Sequence, residues 1–201
     1  MKNIKALISI LLLFAVNLIT RATEPESGVT ATLLLGLSQT HYGANQYHDS
    51  EFKVGFMFTP RVGYRFNDRW EAGALFKYEK VADAATYYGF GAYGEYNYLR
   101  FADNRLRLFV DLQAYYSTGG RDGYGDDLGF PGDKEPTEVG FVPGIAYRIH
   151  GSKVDLKLRY LFIGFNNNDR WYKDMGVCVG RGDWILDAGL RRLELGVDVN
   201  F

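Results

Sequence analysis

Hydrophobic and polar residues alternate with a period of two along most of the chain, which is the signature of strands with one apolar and one polar face. The clearest stretch is 52–66. Phe52, Val54, Phe56, Phe58, Pro60, Val62, Tyr64 and Phe66 share one parity, and Lys53, Gly55, Met57, Thr59, Arg61, Gly63 and Arg65 share the other. At roughly 3.3 Å per residue this strand runs about 50 Å. Tilted by about 40°, it rises about 38 Å, enough for an apolar band of about 25 Å and its flanks. Strands of soluble proteins usually end after about five or six residues.

The same alternation predicts seven further strands. Residues 29–41 place Ala31, Leu33, Leu35 and Leu37 opposite Thr30, Thr32, Gly36 and Ser38, with Leu34 intruding on the polar face. Residues 70–79 set Trp70, Ala72, Ala74, Phe76 and Tyr78 against Glu71, Gly73, Leu75, Lys77 and Glu79. Residues 87–98 and 105–116 follow, the latter with Phe109 and Tyr115 as inward aromatics. A sixth strand covers 138–149. A seventh covers 153–162, with Val154, Leu156, Leu158, Tyr160 and Phe162 on its apolar face. The last covers 184–201, where Arg191 falls on the apolar parity and predicts that the outer half is kinked, bulged or above the membrane. Short connections at 67–69, 101–104 and 150–152 alternate with longer ones at 42–50, 80–86, 117–136 and 166–183. Phe58-x-Pro60-x-Val62-x-Tyr64-Arg65 recurs as Phe141-x-Pro143-x-Ile145-x-Tyr147-Arg148, four strands later. Proline removes a ladder donor, so a local bulge is expected at Pro60 and at Pro143.

The front of the chain changes the setting. Lys2 and Lys5, an apolar run from Ala6 to Ile19 and then Thr20-Arg21-Ala22 have the form of a secretory signal peptide, expected to span 1–22 and to be cleaved before Thr23. The rest, 23–201, is expected to be one barrel domain. Without the leader the chain carries 20 basic and 24 acidic residues, which gives no reason to expect nucleic acid as a partner. Cys178 is the single cysteine, so no intramolecular disulfide can form. After the leader no apolar run reaches the length of a transmembrane helix. High Tyr, Phe and Gly content favours strands.

The end of the chain carries a motif. From Leu193 to Phe201 apolar and polar residues alternate strictly. Glu194, Gly196, Val199 and Phe201 fall on the positions of the polar, glycine, hydrophobic and terminal aromatic residues in the assembly signal of bacterial outer-membrane barrels. With the leader and the loop rhythm, residues 29–201 resemble small outer-membrane β-barrel proteins of the OmpX and OmpA-transmembrane-domain type. The resemblance implies an all-β fold, an eight-stranded antiparallel up-and-down transmembrane β-barrel preceded by a cleaved signal peptide. It also implies location in the cell outer membrane of a Gram-negative bacterium, with both termini periplasmic and no peptidoglycan-binding domain after Phe201. Trp70, Tyr64, Tyr98 and Phe201 would form the inner aromatic girdle, and Phe52, Tyr78, Tyr88 and Tyr116 the outer one.

In an eight-stranded barrel the polar faces fill the lumen. Lys53, Arg61, Arg65, Lys77, Arg105, Arg107, Arg148, Lys157, Arg159 and Arg192 would meet Glu51, Glu71, Glu79, Glu95, Asp111, Glu138, Asp155, Glu194 and Asp198 there. Near-balanced signs in so narrow a space predict a paired plug, not a conduction path. The expected role is therefore structural or surface-interacting and non-enzymatic. The expected partners are outer-membrane lipid and the barrel-assembly machinery acting through the last strand, with no cofactor or metal and a monomeric state. Two other classes remain. One is an outer-membrane enzyme using His41 and His48, with Asp49 and Glu51, at the outer rim. The other is a secreted soluble barrel binding a small apolar ligand, which would need the apolar faces turned inward. Asp122, Asp126, Asp127, Asp133 and Glu135 in the 117–136 loop match no calcium-loop spacing, and Tyr124, Phe130, Trp171 and Tyr172 are loop aromatics suited to meeting a partner.

Overall fold

The structure is a computed structural model. It describes residues 27–42, 51–81, 85–121, 137–150, 152–166, 178–181 and 184–201. The expected leader, the rim residues His48 and Asp49, and the loop carboxylates and aromatics named above lie outside them. So do the side chains of His41, Glu51, Phe52, Lys53 and Cys178.

The alternation becomes a closed antiparallel barrel. Its strands are β1 (Gly28–Tyr42), β2 (Glu51–Arg65), β3 (Trp70–Val81), β4 (Ala85–Phe101), β5 (Leu106–Arg121) and β6 (Thr137–Arg148). They continue as β7 (Val154–Arg159), β8 (Phe162–Asn166), β9 (Cys178–Arg181), β10 (Trp184–Asp187) and β11 (Glu194–Asn200). β7 and β8 together make the seventh position of the ring, and β10 and β11 the eighth. Each strand pairs with the next, and the ring closes where β1 meets β11, from Thr30 opposite Asn200 to Gly36 opposite Glu194.

Two connections are shorter than the alternation predicted. β3 runs on to Val81 and β4 starts at Ala85, paired with it, so only 82–84 separate them. β5 continues through Ser117 to Arg121 against β4, taking five residues from the expected 117–136 loop.

The turn end has three distinct solutions. Asn67 accepts the backbone N–H of Arg69 at 2.8 Å and of Trp70 at 3.0 Å through its side-chain oxygen. Beside it Asp68 pairs with Arg100, and its carboxyl is held below the ordinary carboxylate range by its own backbone N–H and by that guanidinium. Ala102, Asp103 and Asn104 all take left-handed φ values of 52° to 65°. Ser152 donates to the carbonyl of Ile149 at 2.9 Å, closing the third turn.

The two prolines behave differently. Opposite Pro143 the ladder runs from Gly144–Arg159 to Phe141–Ile163, so the seventh strand carries one extra residue. In an antiparallel pair a residue's N–H and C=O face the same neighbour. The carbonyl of Pro143 accepts from Tyr160, so its missing donor faces this bulge. The bulge holds Leu161 at φ 76° and reverses the parity beyond it. Phe162, expected on the apolar outer face, is therefore fully buried inside, and Ile163 faces out. At Pro60 the β2–β3 ladder skips from Phe58–Tyr78 to Arg61–Leu75 with no change of register. The expected bulge is absent there, and only the pairing lapses.

The eighth position is broken, as Arg191 foretold. A 3₁₀ turn, Leu190–Arg192, interrupts it between β10 and β11. The expected 166–183 loop contains β9, which forms a hairpin with β10, Cys178 opposite Asp187 and Arg181 opposite Trp184. Above Gly36 the closing ladder stops. Among the described residues, Leu37–Tyr42 pair with β2 alone and β9 with β10 alone.

Candidate functional site

The barrel is inside out relative to a soluble protein. Val62 is 62% exposed, Leu195 59% and Trp184 67%, whereas Arg61 is 1% exposed and Asp111 and Glu95 are fully buried. Leu, Val, Phe, Tyr and Trp cover the outer wall around the ring, and charged residues fill the centre. Large apolar faces of this extent belong against another apolar medium. The secreted soluble barrel, which needs these faces inward, is thereby overturned. Of the expected girdle residues, Tyr64, Trp70, Tyr98 and Phe201 lie exposed towards the turn end, and Tyr88 and Tyr116 towards the loop end.

Inside, nine cations and nine carboxylates among the described residues share one column. Near the turn end Arg65 binds Glu71 at 2.9 Å and Asp198 at 2.8 Å, and Asp155 receives Arg148 at 2.9 Å together with Arg107 and Arg65. Next come Lys157 with Glu95 at 2.6 Å, Arg61 with Asp111 at 2.8 Å, and Arg159 with Asp111 and Glu194, each at 3.1 Å. Towards the loop end Arg192 grips Glu138 with two bonds of 2.9 Å, and Asp187 takes Arg191 at 2.5 Å and Arg192 at 2.6 Å. Aromatics sit among them. The Arg61 guanidinium lies 3.4 Å from the centroid of Tyr93, whose hydroxyl donates to Glu71 at 2.8 Å. Arg105 departs from the expected set: it sits in the second turn and donates to the carbonyl of Ala102. Asp187 and Arg191 join the column unannounced, and the only sequence signal for them was the misplaced parity of Arg191.

The four terminal-signal residues occupy the closing seam. Glu194 is buried and held by Arg159. Gly196 lies against β1, where a Cβ would come within 2.5 Å of both the Leu33 carbonyl oxygen and Leu34. Leu34, the apolar intruder on a polar face, fills the space this glycine leaves. Val199 pairs with Ala31 and Val154, and Phe201 is about half exposed, its N–H donating to Val29 at 2.9 Å.

A family model, described as the outer membrane protein beta-barrel domain, matches residues 8–182. This chain belongs to that family. Membership assigns the apolar wall to the outer membrane and leaves the charged column as the lumen of an outer-membrane barrel. Among solved structures the fold is similar to that of Neisserial surface protein A, at 17% sequence identity and a TM-score of 0.52, over 90% of this chain and 100% of that one. No curated protein sequence matches. In this outer-membrane barrel the charges of the wall pair in place around the lumen, an arrangement suited to rigidity.

Proposed function

We propose that this outer-membrane barrel is a non-enzymatic structural or surface-interaction protein, with a sealed lumen and four loops presented to the exterior. The observation that carries the reading is the charge-paired column. Arg61, Arg65, Arg107, Lys157 and Arg159 are each buried and bonded to carboxylates from other strands, and two cavities beside the column have room for about one water molecule each, at about 20 Å³. Moving a hydrated solute along this axis would require several buried pairs to part at once. The short turns and both termini are assigned to the periplasm and the long connections to the outside, the arrangement usual for such barrels. Glu194, Gly196, Val199 and Phe201 are assigned as the signal read by the assembly machinery, and the barrel acts as a monomer in lipid. The similarity to a neisserial protein named for the surface agrees with a role for the loops.

Purified protein reconstituted into a planar lipid bilayer tests the sealed lumen. No steady single-channel steps are expected, and reproducible conductance steps from the wild-type barrel would overturn it. Alanine at His41 and His48 is expected to leave lipid and peptide substrates of the outer membrane unchanged. Loss of a hydrolytic activity on that substitution would refute the non-enzymatic part.

A further inference from the structure

The outer wall is not uniform. On β2, β3 and β4 the outward-facing Phe56, Phe58, Phe76, Tyr78, Tyr88 and Phe90 form one connected cluster of rings. Between ring centroids Tyr78 lies 5.8 Å from Phe56, 5.1 Å from Phe58 and 5.5 Å from Tyr88, and Phe76 lies 5.0 Å from Phe90. Phe58 and Phe76, 6.4 Å apart, join the two halves. Elsewhere on the outer wall, among the described residues, rings meet only in pairs: Tyr64 with Phe66, Trp70 with Tyr96, and Phe165 with Trp184. Each ring has only two side-chain torsions to lose, so an acyl chain laid along this face costs little ordering of the protein.

A cation stands directly above the rings. Lys80 shares the outward parity of Phe76 and Tyr78, and its register partners are Phe56 on β2 and Thr86 on β4. It is half-buried, and its outward neighbours Phe56, Tyr78, Thr86 and Tyr88 are all uncharged. Among the described residues it is the one charged side chain on the outer face of the loop-end half. From Trp70, in the turn-end girdle, to Lys80 the strand advances ten residues, about 33 Å. At a tilt of about 40° the rise is about 25 Å, the height of the apolar band of an outer-membrane barrel. Lys80 therefore stands at the level of the lipid headgroups, and the six rings hang below it among the acyl chains.

We propose that this face holds one phosphate-bearing lipid of the outer leaflet, its phosphate on the Lys80 ammonium and its acyl chains against the six rings. The charge recognises the headgroup, because an ammonium at the edge of the apolar band attracts an anion that is itself partly withdrawn from water. The leaflet rests on the orientation proposed above, with the long connections outside; the recognition itself does not.

Native mass spectrometry of the detergent-solubilised barrel tests the site, with lipid A carrying both phosphates and the same lipid A with its phosphates removed as probes. The wild type is expected to retain one lipid and to prefer the phosphorylated form about fivefold, the worth of one lysine beside an anionic lipid surface. Lys80→Gln should lose that preference and Lys80→Arg keep it, while Lys153→Gln, at the turn end, should leave it unchanged. Phe76→Leu combined with Tyr78→Leu should weaken retention of both forms alike. No retained lipid, a phosphate preference that survives in Lys80→Gln, or an equal loss of preference in Lys153→Gln would overturn the proposal. Barrel dimers that replace the bound lipid and disappear in Phe90→Leu would also overturn it, assigning the face to a second copy of the chain. Binding in detergent does not depend on which end of the barrel faces outward, so failure here leaves the orientation and the sealed lumen to their own experiments.

Discussion

Asp155 is the sharpest test of whether the column stabilises the barrel. Its carboxylate is fully buried and takes two bonds from Arg148, at 2.9 and 3.3 Å, as well as Arg107 and Arg65. Asp155→Asn keeps the volume and removes the charge. Arg65 retains Glu71 and Asp198, but Arg107 has no other carboxylate within ion-pair distance among the described residues. Removing one partner of a buried pair costs about 3–5 kcal/mol, because the charge left behind is neither solvated nor matched. With no solvent access at Asp155 the figure needs no reduction for screening, and the stranded charge is that of Arg107. The assay is urea unfolding in lipid vesicles, followed by tryptophan fluorescence and read at constant slope. The companion variant Asp155→Asn with Arg107→Gln should recover part of the loss, since one stranded charge goes with it. A loss below about 1 kcal/mol, or no recovery in the double variant, would mean that water and not side-chain pairing solvates this end of the lumen.

Other substitutions follow from the packing. Phe162→Ala should cost about 3–5 kcal/mol, as expected for a large side chain removed from a packed interior, and Ile163→Ala clearly less; equal losses would argue against the parity reversal at Leu161. Gly196→Ala should destabilise by about 1–3 kcal/mol, and Leu34→Ala should not rescue it, because the Leu33 carbonyl oxygen stands equally close to the added methyl group. Phe201→Ala should lower the amount of barrel assembled in the outer membrane while leaving the unfolding midpoint of purified protein little changed, since the backbone bond to Val29 remains. Normal assembly of that variant in cells would refute the role given to the terminal signal.

The alternation made the ring, its strand count and most of the inward set legible in the sequence, because a period of two is a local property and needs no partner to be read. Pairings inside the lumen were not legible. Arg65 meets Asp198 across 133 positions of sequence, and only the closed ring brings them together. Two failures share a cause. Phe162 kept its apparent parity in the sequence because nothing local signals that a residue will be added opposite Pro143, and Pro60, in the same motif, adds none. The β9 hairpin was missed for a different reason: four residues, Cys178–Arg181, are too few to show a period.

The seam between β1 and β11 also governs how the molecule can form. Thr30 must find Asn200 at nearly the full length of the chain, which is a pairing of very high contact order. The ring is complete only once this pairing has formed. Because the closing ladder reaches only to Gly36, the finished ring is fastened at one end, and its loop-end half should exchange amide protons first when the barrel is warmed.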